Sequence, residues 1–482
     1  MVAFVLSALP LVAILLLLTV VPFAQSDLTH LSFELPKILL IQLSGTVTLL
    51  LSLLFTSKKP KISKNFLYLA LTITGISAVV SVLGLNSTQS FWGSYYRRTG
   101  IVTLFGTISA AAALNILLNS RNQEKVKKAL VAVIIFSSLI ASGHAIYSFL
   151  AANFTNIPQL LSDGRIVTTF GHPNFLAGFL ICTAPFYLIN KRLRWLLALN
   201  LLAVALTFSR GAYFALFSGA YFWWLWQKNH RQKITIGAAT LLAVVVIYIT
   251  GFSLRMPFFY KHLDNYQLSR ITVIFDPYKW GGEPRLKIYA KAIEAICKKP
   301  LLGYGIDNQN LAFTVVNAHE ELHDILKGYA LDRSHNEVLD ILLQGGILLL
   351  LGYFFLVIKA VGNPDASGNT LALAAKTALV ILLVRGLANV NSITQYCYFW
   401  LLVSLIFSGP LEKTVDIKIK WWAKGGLALI TILVSFFALK QYQADIHYKG
   451  SIWSRVNGLF DQEKTLKNEA FDTFPIYEIY KK

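Results

Sequence analysis

Stretches of roughly 20 residues without Asp, Glu, Lys or Arg recur along most of this 482-residue chain, and a helix needs about that length to cross a bilayer's hydrocarbon core. In lipid, every backbone N–H and C=O must be bonded within the spanning element, which leaves a helical bundle as the fold these stretches can build. Only 14% of residues are charged and 55% are hydrophobic, whereas soluble domains carry about 25% charged residues. A soluble enzyme, a disordered chain and a secreted disulfide scaffold are therefore excluded. Candidate spans lie at 3–23, 36–55, 66–85, 99–118, 129–150, 173–189, 195–208, 211–226, 234–252, 336–358, 370–387, 393–408 and 425–440. The reading is an all-α polytopic membrane protein with about 13 transmembrane helices. The first 26 residues carry no charge; with no basic n-region and a long apolar stretch, they read as an uncleaved span and not a signal peptide.

The formal charge is +20, from 44 Lys+Arg against 24 Asp+Glu. Because the basic residues cluster between apolar runs, topology and not nucleic acid accounts for them. With the N-terminus cytoplasmic, the short segments that fall inside hold 19 Lys+Arg and those that fall outside hold 4. The positive-inside rule then puts the C-terminus outside. Four regions follow: an N-terminal bundle at 1–252, an external loop with amphipathic helices at 253–335, C-terminal spans at 336–440 and an external helical tail at 441–482. Cys182, Cys297 and Cys397 are far apart in sequence, so neither a disulfide framework nor a structural metal is expected.

Every basic residue left in the short outer segments is an arginine: Arg97, Arg98, Arg165 and Arg210, with Arg385 near the outer end of its span. Interfacial arginines often snorkel to headgroups, but five together at one face call for a ligand. The spans starting at Pro173, Gly211 and Asn336 aim their N-termini, with unpaired N–H groups and partial positive charge, at the same face. Arg165, Arg210 and Arg333 each precede one of these starts. Guanidinium forks grip phosphate oxygens bidentately, so this face is expected to hold a phosphate-bearing ligand. In Arg333-Ser334-His335-Asn336-Glu337, Ser334 and Glu337 have capping-box spacing. That spacing places His335 in the first helical turn, as a neutral imidazole suited to general-base work. Asp340 is the candidate to orient it. Residues 285–297 read as an amphipathic helix with Leu286, Tyr289, Ile293 and Ile296 on one face. Gly303-Tyr304-Gly305 has no strand before it and reads as a tight turn, and the aromatic run Tyr221 to Trp226 as an interfacial belt.

Four of these segments occur in an order that resembles a known family. They are Gly164-Arg165 through Thr169-Phe170-Gly171-His172-Pro173-Asn174, then Ser209-Arg210-Gly211, then Arg285 leading to Pro300-Leu301-Leu302-Gly303-Tyr304-Gly305, and finally Ser334-His335-Asn336. The combination resembles the O-antigen ligase superfamily of ligases, polymerases and bacterial O-linked oligosaccharyltransferases. The resemblance implies a GT-C-like fold and a metal-independent enzyme without cofactor on the outer face of the bacterial plasma membrane. Such an enzyme moves a glycan from undecaprenyl diphosphate to an acceptor hydroxyl. His335 then looks like the base, and Arg165, Arg210 and Arg285, with Arg98, like a diphosphate clamp; Ser334, Asn336, Asp340 and Asn174 support them. The segment from Ala444 to Tyr480 is similar to the opening hairpin of a tetratricopeptide array, and a lone hairpin must dock to bury its face. A transporter or flippase of a lipid-linked or phosphorylated substrate is the rival reading. Against it stand the lack of an internal repeat and the concentration of charges at the outer rim instead of the midplane.

Overall fold

The computed structural model of the protein describes residues 2–57, 59–154, 161–162, 164–228, 231–233, 235–236, 282–326, 331–364, 369–409 and 411–480. The described chain is nearly all helix. Its helices are α1 (Val2–Val20), α2 (Glu34–Phe55), α3 (Lys64–Val82), α4 (Ser87–Trp92), α5 (Ile101–Leu118), α6 (Gln123–Phe154), α7 (Pro173–Thr183), α8 (Leu197–Leu206) and α9 (Arg210–Trp226). After the expected span at 234–252, which lies outside the described residues, come α10 (Gly282–Lys298), α11 (Gln309–Val315), α12 (Ala318–Glu321), α13 (His323–Leu326), α14 (Glu337–Val361), α15 (Thr370–Gly386), α16 (Ile393–Ile406), α17 (Trp421–Val456) and α18 (Phe460–Thr473). The strands β1 (Lys61–Ser63) and β4 (Thr414–Asp416) pair antiparallel, as do β2 (Leu161–Ser162) and β3 (Arg165–Ile166).

Seven of these helices are long and apolar enough to cross a membrane, and the stretches Pro173–Leu188 and Ile393–Ile406 are shorter and apolar. The protein is a multi-pass membrane protein. The expected span at 195–208 holds the ten-residue α8, which a 3-10 helix at Lys191–Leu196 leads into. The boundary expected at 441 also falls inside a helix, because α17 runs unbroken for 36 residues to Val456.

The interior is held by close backbone packing and a few polar links, as expected where lipid removes the hydrophobic drive between helices. Helix α5 is central, and it meets α2 where glycines face one another: a Cβ on Gly45 would lie 2.0 Å from the Gly106 carbonyl oxygen. One turn away Gln42 Nε2 donates to Thr103 Oγ1 at 2.8 Å. Asn115, near the far end of α5, donates to the carbonyls of Ser404 and Phe407 and accepts from Ser63 N. It thereby ties the β1–β4 pair to the bundle. The segments that the charge count puts outside meet at the opposite end. There Leu31 N bonds Asp445, Arg97 bonds Asp332, and Arg385 bonds the Asn174 carbonyl.

Helix α14 is broken at Gly346, which sits at φ +60°. The break admits another segment: Tyr304 N and Gly305 N donate to the carbonyls of Leu343 and Gln344, and Ile347 N donates to that of Pro300, each at 2.8 Å. A Cβ on Gly346 would meet Leu301 backbone at 2.3 Å. Pro300-Leu301-Leu302-Gly303-Tyr304-Gly305 is therefore a splice laid into an opened helix, a more specific role than the expected turn. It fixes the segment 282–326 onto the helix that follows His335.

Candidate active site

The histidine lies on a turn and not in a helix, which corrects the expected capping box. Asn336 caps α14, its Oδ1 accepting from Val338 N (3.0 Å) and Leu339 N (3.3 Å). Asparagine, like serine, is a strong N-cap, and here it wins the position because Ser334 is engaged elsewhere. Ser334 Oγ accepts from Asn336 N at 3.2 Å, and both Ser334 N and Oγ donate to Asp340 Oδ1 at 2.8 and 2.9 Å. Asp340 thus shapes the turn through Ser334 and does not contact the imidazole it was expected to orient. His335 itself has φ +63°, a left-handed conformation that costs a non-glycine residue about 1–3 kcal/mol and persists only where the surroundings enforce it.

The surroundings are built from two groups of contacts. From α10, Arg285 Nη1 donates to the Ala388 carbonyl at 3.1 Å, and Asn336 Nδ2 donates to the adjacent Leu387 carbonyl at 3.1 Å. Helix α10 docks through Ile288, Ala292 and Ala295. The expected apolar face is thus displaced, because these alanines allow close approach while Leu286 and Ile293 stay exposed. From the start of α7, Asn174 collects the second group: Arg165 Nη1 and Ser209 Oγ donate to its Oδ1 at 3.2 and 3.0 Å, and Arg385 Nη2 to its carbonyl at 2.8 Å. Arg210 follows as the first residue of α9. The two groups join through the α15–α16 loop. Arg385 Nη1 donates to Asn391 Oδ1 at 2.6 Å, and Asn391 Nδ2 to Glu337 Oε2 at 3.1 Å. The Asn389 amide packs where Gly211 leaves space.

Arg285 and Asn336 therefore converge on loop 387–391, Asn174 with Arg165 and Ser209 reaches it through Arg385, and Arg210 and His335 are the chain neighbours of Ser209 and Asn336. Arg98 does not join them, which corrects its place in the expected clamp. Its guanidinium is fully buried, its donors taken by Tyr95 O, Gln441, Asp445 and Tyr480. Sequence reasoning also missed the loop, whose residues are uncharged, and Asp307. Asp307 Oδ2 accepts from Ser94 N and Thr99 N at 2.7 and 2.9 Å, while its Oδ1 takes Arg333 Nη2 at 2.5 Å. Its position two residues after Gly305 was the available signal.

Burial, with the field of Arg285 and Arg97, lowers the His335 pKa from 6.5 to about 4, Asp332 opposing. The ring is neutral at physiological pH. Asp332, although buried, is held below its ordinary range by Arg97, whose Nε lies 2.6 Å from Oδ2. No hydrogen bond among the described residues engages the His335 ring, which leaves a neutral acceptor nitrogen beside fixed cations. Such an arrangement can take a proton from a hydroxyl while the arginines bind an anion.

The fold and site define a multi-pass helical membrane protein that gathers arginines and a histidine at one end of its bundle. Residues 195–354, about a third of the chain, match the family model for O-antigen ligase. The match supports glycan transfer of the ligase or polymerase type with a lipid-linked glycan. It takes in Arg210, Arg285, the 300–305 splice and His335, while Arg165, Asn174 and Arg385 lie outside the matched residues. No curated protein matches the chain.

Proposed function

We propose that the protein transfers a glycan from undecaprenyl diphosphate to an acceptor hydroxyl at the outer face of the bacterial plasma membrane. In this reading the fold is GT-C-like with about 13 spans, the N-terminus is cytoplasmic, and the end holding His335 faces out. His335 accepts the proton of the acceptor hydroxyl, the acceptor oxygen bonds to the anomeric carbon, and the bond from that carbon to the diphosphate oxygen breaks. The lipid diphosphate leaves with the charge that develops on it. Arg165, Arg210 and Arg285 neutralise that charge, a role for which preorganised cations suffice without a metal. Arg385 and Asn174 hold this set in place.

The observation that carries the reading is the meeting of these arginine segments with a neutral histidine around residues 387–391. A bound diphosphate would also offset the positive field at His335 and raise its basicity when the donor is in place. The test is reconstitution of the full chain in lipid with an undecaprenyl-diphosphate-linked glycan and candidate lipid, glycan, protein and wall-polymer acceptors. Mass spectrometry should find free lipid diphosphate and a glycosylated acceptor. Passage of intact donor across the bilayer with no cleavage would favour the transporter reading.

A further inference from the structure

We infer that the C-terminal hairpin of α17 and α18 positions the histidine turn, and that Arg98 is the pin joining them. The inference rests on the reading of His335 as the site's base. Arg97 and Arg98 stand back to back. On one side Arg98 is fully buried: its Nη2 donates to Asp445 Oδ1 (3.3 Å) and Tyr480 Oη (3.2 Å), and its Nη1 to Gln441 Oε1 (3.1 Å). The rings of Tyr95 and Tyr477 flank the guanidinium at 5.2 and 4.7 Å. Asp445 is completed by Tyr95 Oη at 2.7 Å and by Leu31 N at 3.0 Å. Tyr95, Ala444, Ala470, Phe474, Tyr477 and Tyr480 form one apolar cluster around this pin, so the hairpin buries its face here.

On the other side the same turn grips the residues before His335. Arg97 Nε donates to Asp332 Oδ2 at 2.6 Å. Ser94 N and Thr99 N bond Asp307, and Arg333 bridges Asp307 to Thr99 Oγ1. Arg98 itself is at φ +48°, a strained backbone that needs its side chain held. A buried guanidinium is committed to its partners, because any that is withdrawn leaves charge unpaired in low dielectric. Loss of the tail contacts therefore frees residues 93–99, and with them Arg97, Asp332 and Arg333.

The charged groups that act on His335 are Arg285 from α10, Arg97 from this turn and Asp332 on its own segment, while loop 387–391 contributes uncharged residues. Release of the turn withdraws Arg97 together with the opposing Asp332, so their fields largely offset, while the admission of water relieves burial, the largest cause, and carries the histidine's pKa upward toward its ordinary value.

The test compares Tyr480→Phe, Arg98→Lys and Asp445→Asn in the full-length reconstituted protein. Hydrogen exchange is read by mass spectrometry, and turnover is read against pH with a prenyl-diphosphate-linked glycan as donor. Tyr480→Phe removes one hydroxyl from the pin and should lower turnover about threefold to tenfold. Arg98→Lys and Asp445→Asn should lower it further. In all three, exchange should rise in the peptides covering 93–100 and 331–336 together, and the acidic limb of the pH profile should move upward. A rise confined to 93–100, or turnover loss with an unmoved limb, overturns the coupling. Exchange does not depend on catalysis, so joint loosening with His335→Ala fully active would leave the coupling standing and remove the base assignment. An active-site effect in His335→Ala with no joint loosening in the pin variants would do the reverse.

Discussion

Replacing Arg285 by glutamine should make His335 easier to protonate, and the size of the change follows from what holds its pKa down. The imidazole lies at about 4 against an ordinary 6.5, a difference of roughly 3 kcal/mol between its two protonation states. Burial is the largest cause and Arg285 the next, so removing Arg285 leaves the burial in place and should move the pKa upward by about one pH unit. A base works in its unprotonated form, so activity is lost as pH falls through its pKa. The acidic limb of kcat/KM, which reports the free enzyme, should therefore lie near pH 4 in the wild type and about one unit higher in Arg285→Gln. The limb of kcat, which reports the donor-bound enzyme, should lie above that of kcat/KM in the wild type, because the diphosphate cancels part of the arginine field. The assay is lipid-diphosphate release from a prenyl-diphosphate-linked glycan in nanodiscs between about pH 3.5 and 8. Lower donor affinity in the variant changes the height of the profile but not the position of its limb. A limb that stays in place, or moves to lower pH, would refute the argument.

Other outcomes are also specified. Arg210→Lys keeps the charge but loses the planar fork; transfer should fall by about 10- to 100-fold at unchanged protein level, and full activity would reduce Arg210 to a headgroup anchor. Transfer should persist in EDTA, and a loss restored by magnesium or manganese would replace the arginine mechanism. Cys297 is exposed while Cys182 and Cys397 are buried, so an impermeant thiol reagent should label the wild type in intact cells, and Cys297→Ser should abolish the signal. Labelling only after permeabilisation would invert the proposed orientation.

The spans were legible because hydrocarbon thickness imposes a minimum apolar length on the sequence: α2 and α6 contain their expected stretches, and α1, α3, α5 and α14 fall within about three residues of theirs at each end. The length of α8 was not legible, since apolar residues buried in a bundle and residues facing lipid look alike. At the site, arginines before helix starts stood out against short segments otherwise poor in charge. Arg98 stood out for the same reason and proved to be something else, because its partners Asp445 and Tyr480 lie nearly 350 residues or more away in sequence. The serine-x-x-glutamate spacing at 334–337 was real, but local pattern could not show that Asp340 would claim Ser334. Loop 387–391 contributes largely through backbone carbonyls and two asparagines, which carry no distinctive signal in one sequence.

The central claim is that His335 removes the acceptor proton while the arginines hold the donor. It is tested most directly by measuring donor binding and turnover in His335→Ala and His335→Gln, reconstituted in lipid with an undecaprenyl-diphosphate-linked glycan. Both variants should bind the donor nearly as the wild type does and lose about 100-fold or more in turnover, the usual contribution of a positioned base. Near-normal turnover in His335→Gln, which can hydrogen-bond the hydroxyl but cannot take its proton, would contradict the account. Loss of donor binding in both variants would also contradict it, by moving His335 into the clamp.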